Sequence, residues 1–467
     1  MFVRVSNQAG RPLHQSRSGR GGVNAVASPP LAEVLHYAAE AWQHFRAGRS
    51  LDRALAAALA DRPDLRPAVQ DATYKAVRHL AASERLVELL AARPPAAEVA
   101  ALLAVALAQL QTDNYAEYAV VDQAVSSARN SLPTRGAAGF VNALLRNFLR
   151  QRATLLSELQ LNDTVRYNLP HWWIERLQRA YPTDWTSVAE HQRQPPPLVL
   201  RVNVSRLPTE RYLANLNAAG MDATRVGEQA VWLHDARPVA AIPGFSEGEV
   251  SVQDAGAQLA AVWLDARAGM QVLDACAAPG GKTAHLAELG ATVTALEIDA
   301  IRAMRIEENL RRGGLTAHLI TGDALRPESW QSQIEDLAKT ETGAALFDRI
   351  LVDAPCTASG IVRRHPDIPW LRRSADVAQL TKVQRELLHA LWPLLKVGGR
   401  LLYAVCSLFP EEGREQVDRF VGRHCEARLV PLPAAQLLPT AARAPAWQSG
   451  LPTLHDGFFY ALLEKTG

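Results

Sequence analysis

The sequence predicts a multidomain protein: an all-α bundle, then a small α/β unit, then an α/β domain built on a parallel, doubly wound sheet. Three observations predict it. Apolar residues recur at three- and four-residue spacing from about residue 30 to 159, the period of amphipathic helices. A β-α-β run occupies residues 198–233. From Gly269 onward strand-like and helix-like segments alternate, the pattern of right-handed crossovers between parallel strands. The expected division is a flexible basic tail over 1–29, a helical domain over 30–160, a linker helix and small α/β subdomain over 161–260, and the sheet domain over 261–467.

In the first domain, residues 31–35, 51–55 and 98–103 carry the helical spacing, and Pro63, Pro67, Pro94, Pro95 and Pro133 break the helices into a compact bundle. The run from Arg135 to Arg150 points Leu144, Leu145 and Phe148 inward, leaving Arg146 and Arg150 on the other side. Those arginines fit a solvated basic face or an RNA contact. Residues 167–181 read as a further helix, with Trp172 and Trp173 anchoring it between domains, and 192–197 as a proline-rich connector. Strand-like residues 198–203 and 230–233 flank a helix over 208–219 that stops at Gly220. This run is similar to half of a ferredoxin-like or RNA-recognition fold. It lacks the aromatic pairs that stack bases, so an RNA contact there would run through Arg201, Arg206 or Arg211. In the last domain, strands are predicted over 271–274, 292–297, 317–321, 349–353 and 400–405, and helices over 282–289, 299–312 and 377–395. Two closing strands near 428–431 and 458–463 would extend the sheet.

Basic and acidic residues nearly balance, giving a net charge of +2. That leaves nucleic-acid binding open, because binding needs a basic face rather than a basic total. Four cysteines in 467 residues make no disulfide framework, and their spacing matches no zinc pattern. No metal is expected, and reduced thiols fit a cytoplasmic protein. No stretch is apolar and charge-free enough to span a bilayer. The first 28 residues lack the apolar core of a signal peptide and read as a mobile tail, with Arg11, Arg17 and Arg20 among small residues. A touch on RNA and a solvated leader both fit that tail.

The segment from Asp274 to Thr283 (DACAAPGGKT) closes one predicted strand and turns into a helix. Glycine lets the backbone approach a ligand, and the helix start offers free N–H groups. Cys276 stands where a Walker A loop needs its first glycine, and the G-x-G-x-x-G of dinucleotide sites is absent. S-Adenosyl-L-methionine has a ribose diol and a carboxylate but no phosphate, so it needs neither motif. Glu297 and Asp299 end the next strand, where an acidic residue binds a ribose diol about 20 residues after a glycine turn. Asp323, ending the third, is placed for an adenine amino group.

Asp353-Ala354-Pro355-Cys356 and Ala404-Val405-Cys406-Ser407 each close a further strand-like run. Open α/β sheets bind ligands at such strand ends, and two thiols aimed into one crevice point to covalent catalysis. Carbon 5 of a cytosine is a poor nucleophile. A thiolate adding to carbon 6 breaks the aromaticity and leaves an enamine that accepts a methyl group at carbon 5; a base must then remove the carbon-5 proton. Cys356 and Cys406 are both placed for this, and physics alone does not say which attacks. Asp353 is placed to hydrogen-bond the ring and help protonate its nitrogen. Beyond Cys356, the cluster Arg363-Arg364-His365 suits backbone phosphates. Cys276 and Cys425, the latter on a predicted helix, read as inert core packing.

Together these residues resemble the bacterial 16S ribosomal RNA cytosine carbon-5 methyltransferases of the RsmB/Sun family. The motifs are Cys276 to Lys282, Leu296-Glu297-Ile298-Asp299, Gly322-Asp323, Asp353 to Cys356, Arg363 to Asp367, and Val405-Cys406-Ser407 followed by Pro410-Glu411-Glu412. Asp456-Gly457-Phe458-Phe459-Tyr460 also fits, and Asn142-Ala143-Leu144-Leu145-Arg146 is similar to a run of the NusB-type RNA-binding fold. The resemblance implies a Rossmann-like class I methyltransferase domain behind a NusB-like bundle. It implies methyl transfer from S-adenosyl-L-methionine to carbon 5 of a cytosine in 16S ribosomal RNA, with Cys406 as nucleophile and Cys356 releasing the product. It puts the cofactor on Cys276, Ala277, Ala278, Pro279, Gly280, Gly281, Lys282, Glu297, Asp323 and Asp353. Two positions depart from the family: Glu297 stands where Asp is usual, so Asp299 could share the ribose, and Val405 replaces the usual Thr. The expected partner is 16S ribosomal RNA, free or in an early assembly intermediate, and the expected state is a monomer. Two other readings stay open: the same chemistry on transfer RNA, and a non-catalytic RNA-binding or antitermination factor.

Overall fold

The computed structural model describes residues 29–112, 114–235, 237–334, 346–440 and 446–467; Arg11, Arg17 and Arg20 of the expected tail lie outside them. The first domain is a bundle of α1 (Leu31–Arg46), α2 (Leu51–Ala58), α3 (Arg66–Arg78), α4 (Leu80–Leu90), α5 (Ala97–Leu110), α6 (Glu117–Asn130) and α7 (Ala138–Leu159). Helix α5 is apolar on nearly every side and buried along most of its length, so it takes the centre of the bundle, against α1, α3, α4, α6 and α7. Leu144, Leu145 and Phe148 of α7 face the core, and Arg146 and Arg150 face solvent.

Short helices α8 (Asp163–Tyr167), α9 (His171–Ala180) and α10 (Trp185–Arg193) lead out of the bundle. Trp173 is fully buried and meets Phe409 edge-on at 5.1 Å, which fixes α9 against the segment just past Cys406. A small antiparallel sheet follows, built from β1 (Leu198–Val202), β2 (Ala223–Arg225), β3 (Ala230–Leu233) and β4 (Val250–Val252) in the order β2-β3-β1-β4, with α11 (Thr209–Ala218) between β1 and β2. Strands β2 and β4 are too short to show any alternation in the sequence.

Two of the three arginines through which an RNA contact in this unit would run are used internally. The Arg201 guanidinium is buried and bound to Glu288 (2.7 Å), Gln253 and the carbonyl of Gly281 (2.7 Å). Arg206 donates to the carbonyls of Glu247 and Gly313 (both 2.6 Å). A chain-distant partner decides such a residue's role, and no local pattern reveals it. Arg211 is exposed.

The last domain contains α12 (Ala255–Trp263), β5 (Gln271–Ala275), α13 (Gly281–Glu288), β6 (Thr292–Glu297), α14 (Ala300–Gly313), β7 (His318–Thr321) and β8 (Phe347–Asp353). It continues with α15 (Ile368–Leu371), α16 (Ser374–Leu391), β9 (Leu395–Val405), α17 (Arg414–Val421), β10 (Ala427–Val430), β11 (Gln436–Leu437) and β12 (Phe458–Lys465). The sheet order is β10-β12-β9-β8-β5-β6-β7, with β11 paired to β12. Strands β7, β6, β5, β8 and β9 run parallel, whereas β12 is antiparallel to β9, and β10 to β12. The closing strands therefore extend the sheet with reversed direction. Apolar side chains of α16 and α17 cover one face of the sheet, and those of α12 and α13 the other, which is why central strands such as β8 are buried on both sides. Cys425, expected on a helix as inert core packing, lies instead in an exposed turn past the end of α17.

Candidate active site

The chain runs from β5 outward through β6 to β7, then returns to place β8 and β9 on the other side of β5. That reversal opens a crevice at the carboxyl ends of the strands. Cys276, Glu297, Asp323, Asp353, Cys356 and Cys406 lie at or just past those ends, and all line one cavity of about 330 Å³. Ala278 lines it too, while Ala277, Pro279, Gly280, Gly281, Lys282 and Asp299 do not.

The loop after β5 is shaped by two left-handed residues, Cys276 (φ 64°) and Gly280 (φ 93°). A Cβ on Gly280 would sit 2.9 Å from Ile306 Cα, so only glycine lets the loop lie against α14. Glu297 is buried at the end of β6. Its Oε2 accepts the Ala278 N–H (3.1 Å), and its Oε1 accepts from the Asp299 N–H and Arg302 (both 3.2 Å). One lone pair of Oε2 is left for a ligand. Asp299 caps α14 by accepting the N–H groups of Ile301 (2.8 Å) and Arg302 (3.2 Å), so its carboxylate serves the helix start rather than the cavity. Asp323 accepts the Leu325 N–H (2.9 Å), and its carbonyl receives the Trp330 indole N–H (3.0 Å).

Behind this rim lies a charged layer. Lys282 donates to Asp353 at 2.6 Å. Burial opposes its charge, yet the Asp353 carboxylate raises the Lys282 ammonium above its ordinary value. Asp274 accepts the Thr283 hydroxyl at 2.6 Å through Oδ2, while its buried Oδ1 meets no protein donor. Burial pushes the Asp274 carboxyl up to about 7. Burial and the carboxylates of Asp353, Glu297 and Asp274 push the Cys276 thiol up to about 12, so it stays protonated.

The sulfurs of Cys356 and Cys406 are 3.5 Å apart. They come from adjacent strands β8 and β9, tied past their last pairing by the Ala354 N–H on the Ala404 carbonyl and the Gly360 N–H on the Cys406 carbonyl (both 2.9 Å). The hydrogen bond to Cys406, and then burial, hold the Cys356 thiol well above its ordinary range. Either sulfur can donate in this contact.

The basic cluster beyond Cys356 departs from expectation. Arg363 and Arg364 both bind the buried carboxylate of Asp456, and Arg364 also binds Asp254 (2.9 Å). These guanidinium groups therefore join the loop to the start of β12 and to α12, and do not offer a phosphate site. Glu412 belongs to the Pro410-Glu411-Glu412 run that follows Cys406. It is fully buried and gathers donors from Thr357, Ser407 and Gln384. The hint lay in a hydroxyl residue directly after each cysteine.

Among the described residues, no helix is long and apolar enough to cross a membrane. Three family models match in chain order: NusB family over residues 34–150, the ferredoxin-like domain of RsmF/B-like methyltransferases over 169–240, and 16S rRNA methyltransferase RsmB/F over 261–464. Ribosomal RNA small subunit methyltransferase B of Escherichia coli (strain SMS-3-5 / SECEC) is 40% identical over 404 residues, covering 85% of this chain and 90% of that protein. The protein of that name from Salmonella paratyphi B (strain ATCC BAA-1250 / SPB7) is 41% identical over 406 residues, with coverage of 85% and 90%. Among solved structures, PH0851 superposes with a TM-score of 0.71 at 24% identity, covering 93% of this chain and 99% of its own, which speaks for the shared fold. A methyltransferase homolog from Pyrococcus horikoshii gives 0.53 at 26% identity over 65% of this chain and 97% of its own. With the three domains matched in order and identity of this degree along most of its length, the chain belongs to the RsmB/F family of 16S ribosomal RNA methyltransferases.

Proposed function

We propose that the protein methylates carbon 5 of a cytosine in 16S ribosomal RNA, with S-adenosyl-L-methionine as donor and a covalent adduct on Cys406. The observation that carries the reading is the pair of sulfurs 3.5 Å apart in a cavity that also holds Glu297, Asp323 and Asp353. The name shared by the relatives supports small-subunit ribosomal RNA as the substrate.

The donor set fits the cofactor. Glu297 keeps one lone pair for a ribose hydroxyl, Asp323 suits the adenine amino group, and Leu296, Ile298 and Leu325 give the cavity apolar wall for the base. When bound, S-adenosyl-L-methionine supplies the electrophilic methyl group that carbon 5 takes up. Cys406 adds to carbon 6 of a base brought out of its stack, and the electron pair of the 5,6 double bond moves into the ring while the ring nitrogen gains a proton. Asp353, held by Lys282, hydrogen-bonds that side of the ring and relays the nitrogen's proton from the Lys282 ammonium, to which it returns when Cys406 leaves. Cys356, its own proton released to solvent once Cys406 is bonded to carbon 6, then takes the carbon-5 proton, the double bond re-forms, and Cys406 leaves as thiolate.

The two thiols alternate for a physical reason. Cys406 raises the Cys356 thiol both through its hydrogen bond and through its charge. Once its sulfur is bonded to carbon 6, that charge is gone. Cys356 then ionises more readily, at the stage when a base is needed.

Replacing Cys406 with Ala should abolish transfer, while Cys356→Ala should accumulate an RNA–protein adduct that survives denaturing electrophoresis. Adduct in Cys406→Ala would reverse the roles. Bisulfite mapping of small-subunit and transfer RNA from a deletion strain checks the substrate; a cytosine losing its mark only in transfer RNA would replace 16S RNA in this reading.

A further inference from the structure

Thr357 and Ser407 each directly follow one of the paired cysteines, and both bind one carboxylate. Glu412 Oε1 accepts the Thr357 N–H (2.8 Å) and the Gln384 amide (3.2 Å). Its Oε2 accepts the hydroxyls of Thr357 and Ser407. The residue is fully buried, and its own carbonyl receives the Tyr403 hydroxyl at 2.6 Å, which ties it back to β9, the strand that ends just before Cys406. Ser359 adds a second link, 3.0 Å from the Ser407 hydroxyl and accepting the Leu408 N–H (2.8 Å). Adjacent strands diverge through sheet twist, so loops leaving β8 and β9 need a tie beyond the last rung. Burying a carboxylate is costly unless donors surround it; here they come from both cysteine loops and from α16.

We propose that Glu412 is a positioning residue for the thiol pair: by gripping the residue after each cysteine, it holds the Cys356 and Cys406 sulfurs close enough to act on one base in turn. The catalytic meaning of this role rests on the covalent reading above, but the alignment itself can be tested without RNA. Diamide, an azo oxidant, takes both thiol hydrogens onto its N=N bond as an S–S bond forms, at a rate that depends on how the sulfurs are aligned.

The experiment compares wild type, Glu412→Ala and Glu412→Gln by peptide mapping of the Cys356–Cys406 crosslink after diamide, and by steady-state methylation. For Glu412→Ala, crosslinking should slow by about 10-fold and kcat should fall by about 100-fold, as for a small misplacement of reacting groups. KM for S-adenosyl-L-methionine should stay within about threefold. Glu412→Gln keeps an acceptor for the Thr357 N–H and lets the hydroxyls reverse, so it should restore most of both rates. If Glu412→Ala does not fold, Thr357→Val with Ser407→Ala cuts the same tie from its other end and should show the same losses. Crosslinking as fast as wild type in the folded variant would overturn the proposal, as would a drop in kcat matched by an equal loss of cofactor affinity. A Cys356→Ala enzyme that accumulates no RNA adduct would sink the covalent reading alone, and the crosslinking rates would still decide the role of Glu412.

Discussion

Asp274 gives the sharpest test at the scale of one residue. Its buried carboxyl titrates near 7 in the folded chain, against about 4 when exposed. The folded state therefore binds the proton more tightly than the unfolded state. The resulting stabilisation is fully present below about pH 4 and is lost as pH rises toward 7. Asp274→Asn keeps the shape and an acceptor for Thr283 but cannot ionise. Its stability relative to wild type should grow by about 4 kcal/mol between pH 4 and pH 8, measured by denaturant titration at each pH. A difference that does not change with pH would show that the carboxyl is not held protonated. The same residue shows what could be read from sequence. Strand-end acids and cysteines stood out because spacing places them at one edge of a sheet. The pairings of Asp274 with Thr283, and of Lys282 with Asp353 across 71 positions, depend on the folded geometry. For the same reason Arg363 and Arg364 look like phosphate ligands until Asp456, more than 90 residues on, is seen beside them.

At the scale of elements, the loops after β8 and before β12 touch backbone to backbone. Gly457 donates its N–H to the Gly360 carbonyl at 2.9 Å, and a Cβ on Gly360 would lie 2.0 Å from the Gly457 carbonyl oxygen. Neither backbone can yield cheaply, since Gly360 also donates its N–H to the Cys406 carbonyl. Gly360→Ala should cost about 1–3 kcal/mol through overpacking and should lower methyl transfer more than stability alone explains. Gly139→Ala, in an open position on α7, should leave the melting temperature unchanged or slightly higher. Equal melting temperatures for Gly360→Ala and wild type would mean that the two loops are not in contact. The elements themselves were legible in proportion to their length and burial. Strands β5, β6, β8 and β9 carry apolar runs buried on both sides, and α14 has both its Asp299 cap and a left-handed Gly314 at its end. Strands β2, β4 and β11 span two or three residues each and exist only because neighbours pair with them. The reversed direction of β12 follows from its pairing with β9, which no local pattern encodes.

Across the whole molecule, one short segment connects the bundle to the thiols. Trp370 and Leu371 of α15 pack on the bundle core, Asp367 accepts the buried Leu51 N–H at the start of α2 (3.1 Å), and Arg78 of α3 donates to the Arg363 carbonyl (2.6 Å). One residue past α15, Arg372 donates to the Cys356 carbonyl at 3.2 Å. The bundle is therefore braced on the segment that also supports the cysteine loop, and the two domains should unfold together. Asp367→Ala strands a buried N–H, at a cost of about 1–3 kcal/mol, and should uncouple them: in calorimetry a bundle transition should separate to lower temperature while the sheet domain melts nearly as before. Asp367→Asn keeps an acceptor for Leu51 and supplies an amide where Asp367 Oδ1 is buried without a partner, so it should preserve a single transition. If both variants shift one unsplit transition by the same amount, the brace is only local packing, and the docking of the bundle on the sheet domain must depend on other contacts.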